Sequence, residues 1–217
     1  EASDRYGFET PFKNIKNLKE EKPDVHPFTL SEVWLFLNKV RADYKPYYTT
    51  RFFTGMRSSE IDGLKWENVD FDRREIKIRS AIVDGIEGPT KTYGSNREIV
   101  MSQLVYDALQ EQKHYTFGKS DYVFCNSQGK PLEHRNVNRR IWTPTLKLLG
   151  LKHRRAYQTR HTAATLWLAA GENPEWIAKQ MGHSSTEMLF RVYSRYVPDM
   201  TRQDGSAMDS LLLASKQ

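Results

Sequence analysis

Residues 157–196 read YQTRHTAATLWLAAGENPEWIAKQMGHSSTEMLFRVYSRY. Local signals divide this stretch into three short helices. Gly171 is placed to end the first helix in the left-handed conformation that helix C-termini favour. Asn173 followed by Pro174 is typical of an N-cap and a first helical position, so a second helix begins there. Gly182 closes the second helix, and apolar i, i+4 pairs predict a third helix after it.

Four reactive side chains fall at the starts and ends of these helices or in the turns between them: Arg160, His161, His183 and Tyr193. Side chains at such positions can converge on one concave site from different helices. An ordinary core segment does not require this arrangement, so the stretch predicts a functional site.

Three motifs in this order resemble the tyrosine recombinases, the phage integrase family. They are RHT (residues 160–162), MGHS (residues 181–184) with a tyrosine shortly after it, and TGMRSSEIDGLKW (residues 54–66), which is similar to the family's first-arginine motif. The resemblance covers about residues 29–196. It implies a mainly α fold with a small three-stranded antiparallel β-sheet, an α+β class. The polar–apolar alternation of EIKIR and REIVM independently predicts two of the strands.

The resemblance also implies the site residues. The catalytic set is Arg57, Lys91, Tyr157, Arg160, His183 and the nucleophile Tyr193. Glu60 and His161 are implied as supporting residues behind this set. Lys91 falls in a predicted loop between the second and third strands, and Lys77 is the alternative lysine. The nucleophile follows His183 by one residue more than is commonest in the family, and the alignment of YSRYVP favours Tyr193 over Tyr196.

One residue departs from the family pattern. The family has His-x-x-Arg before its second arginine, and here Tyr157 stands where that histidine would be. A phenol can hydrogen-bond a phosphate but is a poorer proton shuttle at neutral pH. We hypothesise that the Tyr157 hydroxyl positions phosphate; the alternative is that His161 compensates for the missing histidine.

Attack on a phosphodiester needs a nucleophile, groups that neutralise the non-bridging oxygens, and a proton for the departing hydroxyl. Arginine supplies a planar fork that matches paired phosphate oxygens. The family mechanism implies a 3′-phosphotyrosyl intermediate that a 5′-hydroxyl reseals, with no metal and no nucleotide cofactor. The sequence contains no HExxH, CxxC or P-loop pattern. Its histidines 153, 161 and 183 match no common zinc spacing.

The chain carries 33 Lys and Arg against 27 Asp and Glu, a formal charge of +6, which favours a polyanionic partner. A basic segment beside the site is predicted to contact the DNA backbone. Its candidate DNA-binding residues are Arg135, Arg139, Arg140, Lys147, Arg154 and Arg155. Ordinary solvated helix faces are the alternative interpretation of this segment.

The sequence predicts three regions. Residues 1–27 form a basic linker, residues 28–200 the catalytic domain, and residues 201–217 a C-terminal tail. The resemblance implies that the tail docks on the next protomer, while packing on its own domain is the alternative. We expect the N-terminal core-binding domain of the family to be missing from this stretch of sequence.

The resemblance implies double-stranded DNA at attachment or crossover sites as the substrate. It also implies a homotetramer in the synaptic complex, a monomer when free, and accessory DNA-bending or directionality proteins. The single cysteine fits a reducing compartment, and no apolar run is long enough to cross a membrane. We therefore expect a cytoplasmic, nucleoid-associated protein of a bacterial or phage-infected cell, with no membrane partner.

Integration or excision of a phage or mobile element is the predicted function. Two alternatives remain at this point. A type IB topoisomerase-like enzyme shares the chemistry but relaxes DNA, and a catalytically silent module would only bind it.

Overall fold

The computed structural model describes residues 25–83, 85–89 and 96–193, together with residues 7 and 213. Most of the predicted linker and C-terminal tail lie outside the described residues, as do Lys91 and Tyr196. The predictions made for those positions therefore stay predictions.

The chain enters the described region through three helices that lead to the first arginine motif. Helix α1 (Leu30–Lys39) begins at Thr29, whose hydroxyl accepts from the backbone N–H of Glu32 while the Glu32 carboxylate accepts from the N–H of Thr29. Helix α2 (Lys45–Thr54) ends at Gly55, which has a φ of 62°. Helix α3 (Ser58–Asp62) follows after a short turn. Thr29 is therefore the N-cap of the first described helix.

A small three-stranded antiparallel sheet follows, as predicted, but one of its three strands is not the predicted one. Strands β1 (Val69–Asp70), β2 (Glu75–Ile78) and β5 (Arg97–Val100) form it in the order β1-β2-β5. Strands β3 (Ser80–Val83) and β4 (Ile86–Pro89) pair with each other instead, as a separate hairpin. Val83 at the end of β3 pairs with Ile86 at the start of β4, so the hairpin closes locally without joining the sheet.

Helical segments complete the first half of the core. Helix α4 (Gln103–Thr116) packs on α2 and is capped by Ser102. Helix α5 (His134–Val137), a π-helical turn (Asn138–Trp142) and helix α6 (Thr143–Leu148) run on without a break. Pro144 falls in the first turn of α6. The helix continues because the wider π turn accommodates a residue that cannot donate a backbone hydrogen bond.

The three helices predicted from residues 157–196 form. They are α7 (Gln158–Ala169), α8 (Pro174–Met181) and α9 (Thr186–Tyr193). Their buried faces and Val25 form a hydrophobic cluster separate from the main core. The helical members of this cluster are Ala164, Leu168, Ile177, Met181, Leu189 and Tyr193. The main core centres on Trp142, whose ring contacts Phe36 and Tyr48. The smaller cluster holds the ends of α7, α8 and α9 against one another.

Within the described residues, none of the helices combines the length and the apolar character that a bilayer span requires.

Candidate active site

Arg57 lies at the turn between α2 and α3, held by a carboxylate one helical turn later. Its backbone N–H donates to Glu60 Oε2 (2.8 Å), and its guanidinium Nη1 donates to Glu60 Oε1 (2.7 Å). Its Nη2 also donates to the carbonyl of Gly182 (3.3 Å), which joins the first arginine motif to the end of α8. About a quarter of the Arg57 side chain remains exposed, so the guanidinium can still meet a ligand.

Glu60 is buried between two arginines, and the second of them was not identified from the sequence. Arg97 at the start of β5 donates from Nη1 (3.0 Å) and Nη2 (2.9 Å) to the two Glu60 oxygens. It also donates from Nε to the carbonyl of Gln180 on α8 (2.6 Å). Burial on its own raises the pKa of Glu60, but the bonds and charges of Arg97 and Arg57 outweigh it and hold the pKa at about 2. Glu60 is therefore ionised at neutral pH.

The alternation of β5 could have revealed Arg97. Arg97 and Ile99 are both buried, two residues apart on the inward face of the strand, whereas Glu98 and Val100 are not. A charged residue on an inward face is expected only where it has a partner.

Arg160 lies in the first turn of α7 and is 2% exposed. Its guanidinium donates to the carbonyls of Gly55 and Met181, the latter at 2.6 Å, and its Nη2 is 3.2 Å from His183 Nε2. Burial lowers the pKa of this guanidinium, although arginine keeps its charge at neutral pH. Arg160 thus ties together the end of α2 and the turn after α8.

His183 follows the left-handed Gly182 that ends α8, as the sequence predicted. Burial, and then the charges of Arg160 and Arg57, lower the pKa of His183 to about 4, so its ring is neutral at pH 7. Because Arg160 can only donate, His183 Nε2 accepts, and the ring hydrogen lies on Nδ1. Among the described residues this buried Nδ1 has no hydrogen-bond partner. An unpaired donor therefore lies beside two guanidinium groups.

Tyr193 ends α9 with its ring 2% exposed. Its hydroxyl lies 2.8 Å from His161 Nδ1. Burial raises the pKa of Tyr193, against an opposing effect of Arg160, so the phenol is protonated at neutral pH. The predicted nucleophile thus contacts His161, which lies on the same helix as Arg160.

Tyr157, which stands in place of the expected histidine, is 42% exposed. It lines a cleft of about 760 Å³ together with Arg57. Helix α5 forms another wall of this cleft through His134 and Arg135. The exposed phenol is therefore available to a ligand in the cleft, while its ring packs edge-on against His161 with centroids 5.2 Å apart.

The structure separates the six candidate DNA-binding residues into two groups. Five of them are exposed: Arg135, Arg139, Arg140, Lys147 and Arg155. Arg154 is partly buried. Its guanidinium pairs with both oxygens of Glu32 at 2.8 and 2.9 Å and lies 4.2 Å from the centroid of the Phe28 ring. Arg154 thus has a structural partner that the sequence did not indicate.

The alternative lysine, Lys77, donates to Asp70 at 3.3 Å across the edge of the sheet. The described part of the chain contains no group of three or more His, Cys, Asp or Glu side chains arranged to hold a metal ion.

Comparison with known proteins agrees with this geometry. The family model described as the phage integrase family matches residues 36–198. Prophage integrase IntR of Escherichia coli (strain K12) is 27% identical over 227 residues, covering 93% of this chain and 55% of that protein. The putative defective protein IntQ of the same strain is 30% identical over 221 residues, covering 89% and 56%. The chain thus spans just over half the length of these relatives.

Solved structures show the same fold. The Tn1549 transposon integrase in complex with circular intermediate DNA superposes with a TM-score of 0.73 at 23% identity, covering 90% of this chain and 69% of that one. The XerA recombinase gives a TM-score of 0.64 at 20% identity, with coverage of 90% and 67%. The catalytic domain of bacteriophage HP1 integrase gives 0.56 at 15% identity, with coverage of 85% and 95%. With a family match over three quarters of its residues, the chain belongs to the phage integrase family.

Proposed function

We propose that this chain is the catalytic part of a site-specific DNA recombinase that cleaves and rejoins strands through a 3′-phosphotyrosyl intermediate. The observation that carries the proposal is the convergence of Arg57, Arg160 and His183 on the turn after α8. Two guanidinium groups and an unpaired imidazole donor suit a phosphate group.

The proposed chemistry assigns one role to each group. Arg57 and Arg160 bind the non-bridging oxygens of the scissile phosphate, and His183 donates to the same group. The Tyr193 oxygen attacks phosphorus as the bond to the 5′ oxygen breaks, and Lys91 protonates that departing oxygen. The phosphotyrosyl ester conserves the energy of the phosphodiester, so the proposed rejoining step uses neither a metal nor a nucleotide cofactor.

The exposed tyrosine of the cleft is given a separate role. The Tyr157 hydroxyl contacts the phosphate from the cleft side, where its exposure leaves it accessible. Arg57 lines the same cleft, so both groups can meet one phosphodiester.

Tyr193 is proposed to act within its own protomer. Its ring belongs to the same buried cluster as Ala164 and Leu168 of α7, and its hydroxyl reaches His161 of that helix. Mixing a Tyr193→Phe protein with an Arg160→Ala protein tests this. Attack in cis predicts no cleavage by the mixture, and recovered cleavage would establish donation between protomers.

The proposed substrate is double-stranded DNA at the attachment or crossover sites of a phage or mobile element. Support comes from relatives named as a prophage integrase and as a transposon integrase bound to circular intermediate DNA. A homotetrameric synapse, accessory DNA-bending or directionality proteins, a docking role for residues 201–217, and action at the nucleoid in the cytoplasm belong to the same proposal. The exposed Arg135, Arg139, Arg140, Lys147 and Arg155 supply backbone contacts.

Covalent trapping tests the proposed function. The full-length protein is incubated with a nicked duplex that carries the end sequence of the element, and a denaturant-resistant protein–DNA complex is measured. Tyr193→Phe is expected to abolish the complex, and Tyr196→Phe is the matched control. Loss with Tyr196→Phe alone would reassign the nucleophile.

Two other outcomes distinguish the alternatives. DNA binding without a complex would favour a silent binding module. Relaxation of supercoiled plasmid lacking the site would favour a topoisomerase.

A further inference from the structure

His161 lies between two tyrosines at the start of α7. Tyr157 and His161 are i, i+4 neighbours, and their rings meet edge-on at 77°. On its other side the imidazole packs against the Tyr193 ring, with centroids 5.6 Å apart. The 2.8 Å contact from His161 Nδ1 goes to the hydroxyl oxygen of Tyr193, which is the atom proposed to attack phosphorus.

The protonation states allow Tyr193 to be the donor of this hydrogen bond. Burial, followed by the charge of Arg160, lowers the pKa of His161 to about 4, so the ring is neutral at pH 7. The phenol of Tyr193 is protonated at that pH. A neutral imidazole has one donor nitrogen and one acceptor nitrogen, and a phenol can donate or accept. The hydroxyl donates to Nδ1 in the tautomer that carries the ring hydrogen on Nε2, and a base role for His161 requires that tautomer.

We propose that His161 is a catalytic base that takes the phenolic proton of Tyr193. The contact has the distance that a general base requires from the proton it removes. The inference rests on the proposed recombinase function and assigns a step that the two arginines cannot perform, because guanidinium groups at neutral pH have no free acceptor.

The proton balance is complete over one cycle. As the bond between Tyr193 Oη and phosphorus forms, the bond to the 5′ oxygen breaks and the phenolic proton passes to His161 Nδ1. The 5′ oxygen leaves as a hydroxyl after protonation by Lys91. In the rejoining step a 5′-hydroxyl gives its proton back to the neutral Lys91 and attacks phosphorus, and the imidazolium returns its proton to the departing Tyr193.

Bound DNA assists the proposed transfer by acting on the charge of Arg160. In the free protein, burial and then the charge of Arg160 disfavour a positive charge on His161. The phosphate proposed to lie against Arg160 is an anion, and it offsets that charge. Among the described residues, the other titratable groups facing His161 are Tyr157 and Tyr193, with His183 beyond Arg160. Proton transfer is thus coupled to occupation of the site.

Two substitutions separate the proposed role from simple packing. His161→Gln keeps a side-chain acceptor but cannot take a proton, and His161→Leu removes both properties. His153→Gln, at an exposed position before α7, is the matched control. The first-order rate of covalent complex formation on the nicked duplex is measured at saturating full-length protein, with DNA binding followed by mobility shift. His161→Gln is expected to lower the rate by about 100-fold with unchanged binding, and His153→Gln to leave it unchanged.

A substrate with sulfur in place of the bridging 5′ oxygen distinguishes a base from an acid. A thiolate departs without protonation, so this substrate restores variants that lack the acid but not those that lack the base. We expect Lys91→Ala to recover on it and His161→Gln to remain slow. Recovery of His161→Gln on the sulfur substrate would overturn the proposal. It would also be overturned if His161→Gln reacted on the normal substrate as fast as the wild type or faster, because the hydrogen bond would then be dispensable or would restrain the nucleophile.

The same experiment keeps the two proposals apart. If the wild-type protein forms no Tyr193-dependent complex, the recombinase function is overturned and the base assignment with it. If the wild type forms the complex and His161→Gln forms it equally fast, only the base assignment is overturned.

Discussion

Replacing Glu60 with glutamine should destabilise the protein strongly at neutral pH and weakly in acid. The carboxylate accepts hydrogen bonds from the backbone and guanidinium of Arg57 and from both Nη atoms of Arg97. Both Glu60 and Arg97 are at most 5% exposed, so neither charge is satisfied by water. Glutamine has nearly the shape of the protonated acid and lacks the charge that these arginines face.

The pKa gives the expected magnitude. The pKa of Glu60 falls from a usual value of 4.5 to about 2 in the folded protein. At about 1.4 kcal/mol per pH unit, this fall in the pKa corresponds to about 3 kcal/mol of stability at pH 7. Because the folded pKa is depressed, this contribution is complete above pH 4.5 and is lost as the pH falls through about 2. At pH 3 about 1 kcal/mol remains.

Urea unfolding of the wild type and Glu60→Gln at pH 7 and pH 3 measures this difference. The gap in unfolding free energy should shrink from about 3 to about 1 kcal/mol. Glu111→Gln, at an exposed position on α4, is the matched control and should change stability by less than about 0.5 kcal/mol at either pH. A gap of the same size at both pH values, or one below about 1 kcal/mol at pH 7, would refute the electrostatic reasoning.

Three further outcomes are expected. Gly182→Ala should cost about 1–3 kcal/mol in thermal unfolding, because φ is +66° and a Cβ would lie 3.1 Å from Arg97 Nη1; no change in Tm would contradict this. Arg140→Ala should reduce the salt dependence of DNA binding by about one phosphate contact. Arg154→Ala should lower stability and leave the salt dependence unchanged, because its guanidinium pairs with a carboxylate on α1. Equal salt dependence for the two variants would contradict the assignment. Tyr157→Phe removes the hydroxyl and keeps the ring that packs on His161. It should reduce covalent complex formation if the hydroxyl positions phosphate, and full activity of this variant would exclude that role.

Local chemistry explains why much of the fold could be read in advance. The capping residue Thr29, the helix-ending Gly182 and the alternation of Glu75–Ile78 act within a few residues of themselves, so their effects are visible in sequence order. The hairpin of β3 and β4 was missed as a separate unit because alternation specifies a strand but not its partner.

In the candidate site, too, the sequence indicated the residues and the structure their contacts. Residue types and motif order were sufficient to name Arg57, Arg160, His183 and Tyr193, and the structure brings Arg57, Arg160 and His183 to the turn after α8. It places Tyr193 next to that group, on His161. Lys91 lies outside the described residues, and its role stays a prediction.

By itself, the sequence determined the family, the order of the helices and the chemical types at the site. Only the tertiary structure decided which charges are paired. The second arginine that pairs with Glu60 lies 37 residues away at Arg97, and the partner of the Tyr193 hydroxyl lies 32 residues away at His161. Such contacts depend on how helices and strands pack against each other. Periodicity reports only which face of each element is buried, and the burial that packing creates is what shifts these pKa values.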